Sequence, residues 1–156
     1  MPRSKGSQSY ERLSWSDRFQ RPTARQLRDG LPGAARHVFD NVCKRLLDLD
    51  GVQEELAWYG DCWRWSIEFR TRLSKDPLAV VVPCPQDLQL ALPLDREFAS
   101  SLPIKRMKRA VRDGLDLARE PFDTRWGVWS LTGSSLLDDL QDLIELKLTH
   151  LRKRAG

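Results

Sequence analysis

The spacing of apolar side chains changes period in mid-chain, and that change restricts the fold more than any other feature. Across LPGAARHVFDNVCKRLLDLDG, Ala35, Val38, Phe39, Val42, Leu46 and Leu49 recur every three or four residues, the period of a helix with one buried stripe. Pro32 stands at its start and Gly51 past its end, as helix termini favour. From residue 63 the period drops to two. Trp63, Trp65, Ile67 and Phe69 alternate with Arg64, Ser66, Glu68 and Arg70, the signature of a strand with one buried face. The run LAVVVPCP is continuous and β-branched and reads as a more buried strand. It stops at Pro83 and Pro85, because proline has no N–H for the ladder. Leu88, Leu90 and Leu92 alternate again. A short strand through Leu56 and Trp58, ahead of the turn Tyr59-Gly60-Asp61, completes an antiparallel meander of three or four strands.

Helical period returns over residues 96–118, with Ile104, Met107, Val111, Leu115 and Ala118 as its stripe and Pro121 closing it. Arg125–Leu131 reads as a last strand. Ser135 with Asp138 approximates a capping box before the final helix. The order α-β-β-β-α-β-α predicts an α+β two-layer sandwich: a mainly antiparallel sheet of about four strands with helices on one face.

A chain of 156 residues buries enough surface to fold as one domain without a disulfide or metal staple. Residues 1–26 read as a basic, flexible arm, with Tyr10, Leu13, Trp15 and Phe19 available to dock on the single domain of residues 27–156. Net charge is +4, but residues 1–28 alone hold an excess of +5, leaving the rest near neutrality at −1. A basic tail on a neutral domain is a weaker pointer to nucleic acid than a basic globule. No stretch is apolar for long enough to span a bilayer, and MPRSKGSQSYERLSW lacks the apolar segment of a signal peptide. A cytoplasmic protein with no membrane partner is the expectation. Cys43, Cys62 and Cys84 are odd in number and form no CxxC or CxxH pair, so three reduced, structural thiols are expected.

Phosphate-cradling loops of the GxxxxGK[ST] or GxGxxG type are missing, as are HExxH and GxSxG, and no metal or cofactor is implied. His37 and His150 sit on separate helices and read as surface residues. Asp138, Asp139, Asp142 and Glu145 resemble a metal-binding comb, but acids early in a helix and Lys147, Arg152, Lys153 and Arg154 late in it are what the macrodipole favours.

Five of the six tryptophans fall in AWYGDCWRWSIEF and TRWGVWSLTG. Rings of this size with a polar N–H mark a core floor or a ligand-facing wall, and alternation alone does not separate the two. The ligand reading places Trp58, Tyr59, Trp63, Trp65, Trp126 and Trp129 around a cleft for a small molecule. Arg64, Arg70 and Arg125 would supply charge for an anionic ligand, without any reaction. Glu68 is the acid to test if a hydrolase or transferase is considered; a cross-strand ion pair is its simpler role. The alternative partner is a nucleic acid, held by the arm and by Lys105, Lys108, Arg109 and Arg112 on one helix face. Asp113 and Asp116 interrupt that face.

Tyr59-Gly60 with Trp63, then Arg70, Arg72 and Leu73, Val80–Val82, Arg125-Trp126 and the helix carrying Asp139-Leu140, Leu143-Ile144 and Leu146-Lys147 form a spaced pattern. Over roughly residues 30–150 it resembles bacterial domain-of-unknown-function family 3788. The resemblance implies a small cytoplasmic α/β protein and no reaction. Gly127 departs from the pattern, which has a larger apolar residue there.

Overall fold

The computed structural model describes residues 17–116 and 125–155. Residues 1–16 of the arm, with Tyr10, Leu13 and Trp15, lie outside the described residues, as do Ala118 and Pro121.

Five antiparallel strands form one sheet in sequence order: β1 (Gln53–Trp58), β2 (Trp65–Arg70), β3 (Ala79–Cys84), β4 (Asp87–Pro93) and β5 (Trp126–Ser130). The α+β architecture is the expected one, with five strands rather than about four. Six helices accompany the sheet among the described residues: α1 (Ala24–Asp29), α2 (Gly33–Leu47), α3 (Gly60–Trp63), α4 (Arg96–Ser101), α5 (Arg109–Asp116) and α6 (Ser134–Ala155). No described helix is long and apolar enough to cross a membrane.

Register explains the core. Ile67 faces Val81, Val81 faces Leu90, and Leu90 faces Trp129, so one row of large side chains crosses four strands on one face. Phe39, Val42 and Leu46 of α2, Phe98 of α4, Val111 and Leu115 of α5, and Leu140, Leu143 and Leu148 of α6 pack in the same buried cluster. The opposite row, Glu68, Val80, Ala91 and Val128, carries smaller side chains.

Local chemistry moves several boundaries. The helix expected over 96–118 is interrupted: α4 ends at Ser101, a 3-10 turn spans Ile104–Arg106, and α5 starts at Arg109. Pro103, lacking an N–H and restricting Leu102 to extended backbone, stops α4, and Leu102 is extended at ψ 133°. Pro83 is inside β3 because it lies past the end of the β2 register at Val81 and pairs only towards β4, opposite Leu88. Before residue 27, Thr23 and Gln26 form a reciprocal capping box for α1, whose Leu27 is buried. Phe19 is 83% exposed, with the Arg18 guanidinium over its ring.

Candidate functional site

The tryptophans divide between the two faces of the sheet. Trp58, Trp65 and Trp129 belong to the helix side. Trp58 and Trp65 sit opposite one another on β1 and β2 with an edge-on contact of 5.8 Å. Trp65 donates its indole N–H to the carbonyl of Asp17 at 2.9 Å. Trp129 is 3% exposed and donates its N–H to the carbonyl of Val111 in α5 at 2.9 Å. Its ring lies over Gly127 and against Gly114, and a Cβ at either glycine would overlap it. The small residue at Gly127 is therefore the space that this indole fills.

Tyr59, Trp63 and Trp126 lie on the outer face. The β1–β2 connection folds back to put them there. Tyr59 N–H donates to the Arg64 carbonyl and Arg64 N–H donates to the Gly60 carbonyl, both at 2.8 Å. Closing so tight a loop puts Gly60 at φ +73° and Arg64 at φ +54°. Trp63 then meets Trp126 at 5.0 Å, nearly perpendicular, and Tyr59 meets both, at 5.6 and 6.0 Å. They pack with Val80, Val82 and Ala91, residues small enough to leave room for the rings. Trp126 is 4% exposed, so these rings form a second, smaller core.

Glu68 occupies the edge of this cluster. One carboxylate oxygen accepts the Tyr59 hydroxyl at 2.5 Å and the other accepts Arg70 at 2.6 Å. Arg70 also donates to the Lys75 carbonyl. Burial, and then the adjoining carboxylate, push the Tyr59 hydroxyl well above its usual pKa. The hydrogen bond to Glu68 raises the Arg70 guanidinium in turn. Glu68 thus bridges Tyr59 and Arg70, and its ion pair is with an arginine two residues along the same strand rather than across strands as expected.

An open cavity of about 360 Å³ lies at the end of the sheet, where the β1–β2 loop meets the β3–β4 hairpin. Trp63, Arg64 and Trp65 line it from one side, Val82 through Gln86 from another, and Leu27 of α1 closes it. Arg64 is exposed and makes no ion pair within the described residues, unlike Arg70 with Glu68, Arg45 with Asp138 and Arg28 with Asp40. Of the sequence-derived candidates, the structure brings Trp63, Arg64 and Trp65 to this cavity. Trp58, Trp129 and Trp126 are elsewhere in packed layers, and Arg125 is exposed at the start of β5.

Two cavity residues were expected to be structural and are not buried: Cys62 and Cys84 are exposed. Only Cys43 fits the structural description, and burial raises its thiol pKa far above the ordinary value. No short motif joins Cys62 to Cys84. Their proximity to one cavity follows from the loop and hairpin meeting, which spacing does not announce.

The basic stripe is split. Lys105 is on the 3-10 turn and Lys108 precedes α5, while Arg109 and Arg112 are on α5. Lys108 pairs with Asp139 at 3.0 Å and Arg109 approaches Asp113 at 3.9 Å. In the final helix, Asp138 pairs with Arg45 at 2.6 Å. Lys147, placed by sequence among the dipole-complementing cations, is 4% exposed and donates to the carbonyls of Pro77 and Leu78 at 3.2 and 2.8 Å. Burial lowers its pKa to about 7, against smaller opposing effects of Asp76 and Asp95.

No family model matches the chain, and no curated protein matches it.

Proposed function

We propose that the protein binds a small anionic molecule in the cavity bounded by Trp63, Arg64 and Trp65. One observation carries the reading: three consecutive residues, two indoles and between them a guanidinium with no ion pair among the described residues, line the same open cavity of about 360 Å³. That volume falls in the lower range of ligand pockets, roughly 300–1,000 Å³, which combine apolar walls with a few polar groups. Arginine stays charged at any ordinary pH and offers a planar fork that matches carboxylates and phosphates. Indoles supply apolar area for the remainder of the ligand. Kinship with family 3788, and with it a cytoplasmic setting, belongs to the same proposal and rests on the spaced residues given above.

Trp63 and Trp65 make the test direct. Titration with a panel of small carboxylates, phosphates and sulfates should quench or shift tryptophan emission. Arg64→Gln should weaken the responding ligand by about tenfold, as expected for losing one hydrogen bond to a charged group. Emission and melting temperature unmoved by the whole panel would remove the proposal.

A further inference from the structure

We propose that Cys62 and Cys84 form a thiol–disulfide exchange site in this cavity, acting on anionic low-molecular-weight disulfides. The inference deepens the reading of the cavity as an anion site and rests on it. Both thiols are exposed and both line the cavity, although one comes from α3 and the other from the end of β3. Arg64, two residues from Cys62 on the same loop, lines the cavity with both. The guanidinium attracts a disulfide that carries carboxylates. Cys43 offers an internal contrast, since it lies outside this cavity and its thiol is held protonated by burial.

The chemistry is ordinary exchange. The thiolate of one cysteine attacks a sulfur of the small disulfide. A protein–ligand S–S bond forms, the original S–S bond breaks, and the departing thiolate carries off the electron pair and takes a proton from water. The second cysteine then attacks the protein sulfur of the mixed disulfide, forming the Cys62–Cys84 bond and releasing the second small thiol. The protein thiols are oxidised together by two electrons, and the small disulfide is reduced to two thiols. No other oxidant is required.

The test uses the full chain with glutathione disulfide as the charged probe and hydroxyethyl disulfide as the neutral one, followed by intact mass and peptide mapping. Wild type should end with Cys62 linked to Cys84 and Cys43 unmodified. Cys62→Ser and Cys84→Ser should each stop at a mixed disulfide on the remaining cavity thiol. Arg64→Gln should slow the charged probe about fivefold and leave the neutral one unchanged, the scale of one screened charge contact. Equal rates in Arg64→Gln and wild type with glutathione disulfide, a wild type that stops at mixed disulfides, or modification of Cys43 at the same rate would each overturn the proposal. The Cys62→Ser/Cys84→Ser double variant separates the two readings. If it still answers the anion panel by fluorescence while wild type fails to exchange, the thiol proposal falls and the anion site stands.

Discussion

Replacing Lys147 with methionine should abolish a pH dependence of stability that this one side chain imposes. The Lys147 side chain is 4% exposed and donates to two carbonyls, Pro77 and Leu78, and forms no ion pair among the described residues. Its pKa falls from the usual 10.5 to about 7 on folding. Between those values the unfolded chain holds a proton that the folded chain has released. Stability therefore rises with pH through this window, and below it the native state carries the full penalty of a buried charge. At about 1.4 kcal/mol per pKa unit the penalty is about 5 kcal/mol. The carbonyl bonds favour the charged form, so that figure is an upper bound. Lys147→Met keeps the length of the side chain, removes the charge and leaves the two carbonyls without this donor, at about 1–3 kcal/mol. Urea unfolding of both proteins should show the variant ahead at about pH 6.5. The wild type should gain about 3 kcal/mol on it by about pH 9.5. All other titrating groups are shared, so the difference isolates residue 147. Parallel stability profiles across that range would show that the buried ammonium keeps its proton and would refute the argument.

Two further predictions concern backbone and packing. Gly114→Ala should cost about 3 kcal/mol in urea unfolding, because the added methyl meets the Trp129 indole and overpacked cores strain neighbouring elements. Trp129→Leu in that background should recover part of the loss, and strictly additive losses would show that the two positions do not press on each other. Arg64→Gly should raise stability by about 1 kcal/mol in thermal melts, since the residue sits at φ +54°, where side chains are strained, while anion binding falls. A lower melting temperature would mean that the loop is held without strain.

Much of the architecture was legible from apolar spacing, because a meander places successive strands beside one another and each strand repeats the same alternation. Ile67, Val81 and Leu90 meet on one face as their periods require. The long helix expected over 96–118 failed at a single residue. Pro103 outweighed a stripe that ran correctly through Met107, Val111 and Leu115. The tryptophans were harder to place. Trp65 keeps the phase of Ile67 and Phe69, but Trp63 leaves it, since Gly60 and Arg64 turn the loop and carry that ring to the outer face. Alternation holds only while the backbone stays extended. The opposing signal was present in Ser66, Val80, Val82 and Ala91, whose small volumes leave room for rings. Lys147 was legible too: it falls in the stripe of Leu140, Leu143, Ile144, Leu148 and Leu151, and its charge masked its phase. Cys62 and Cys84 could not be paired from sequence, because nothing local records the meeting of a loop with a hairpin.

The six residues from Tyr59 to Arg64 roof one layer of the protein while walling the hollow beside it. Hairpin connections ordinarily tolerate insertion cheaply, but here an added residue would slide Trp63 off its seat and turn Arg64 away together. The two duties are thus mechanically inseparable. Whatever grips the hollow also clamps the roof, so occupancy on one side of the sheet should slow amide exchange in the strands lying under the other.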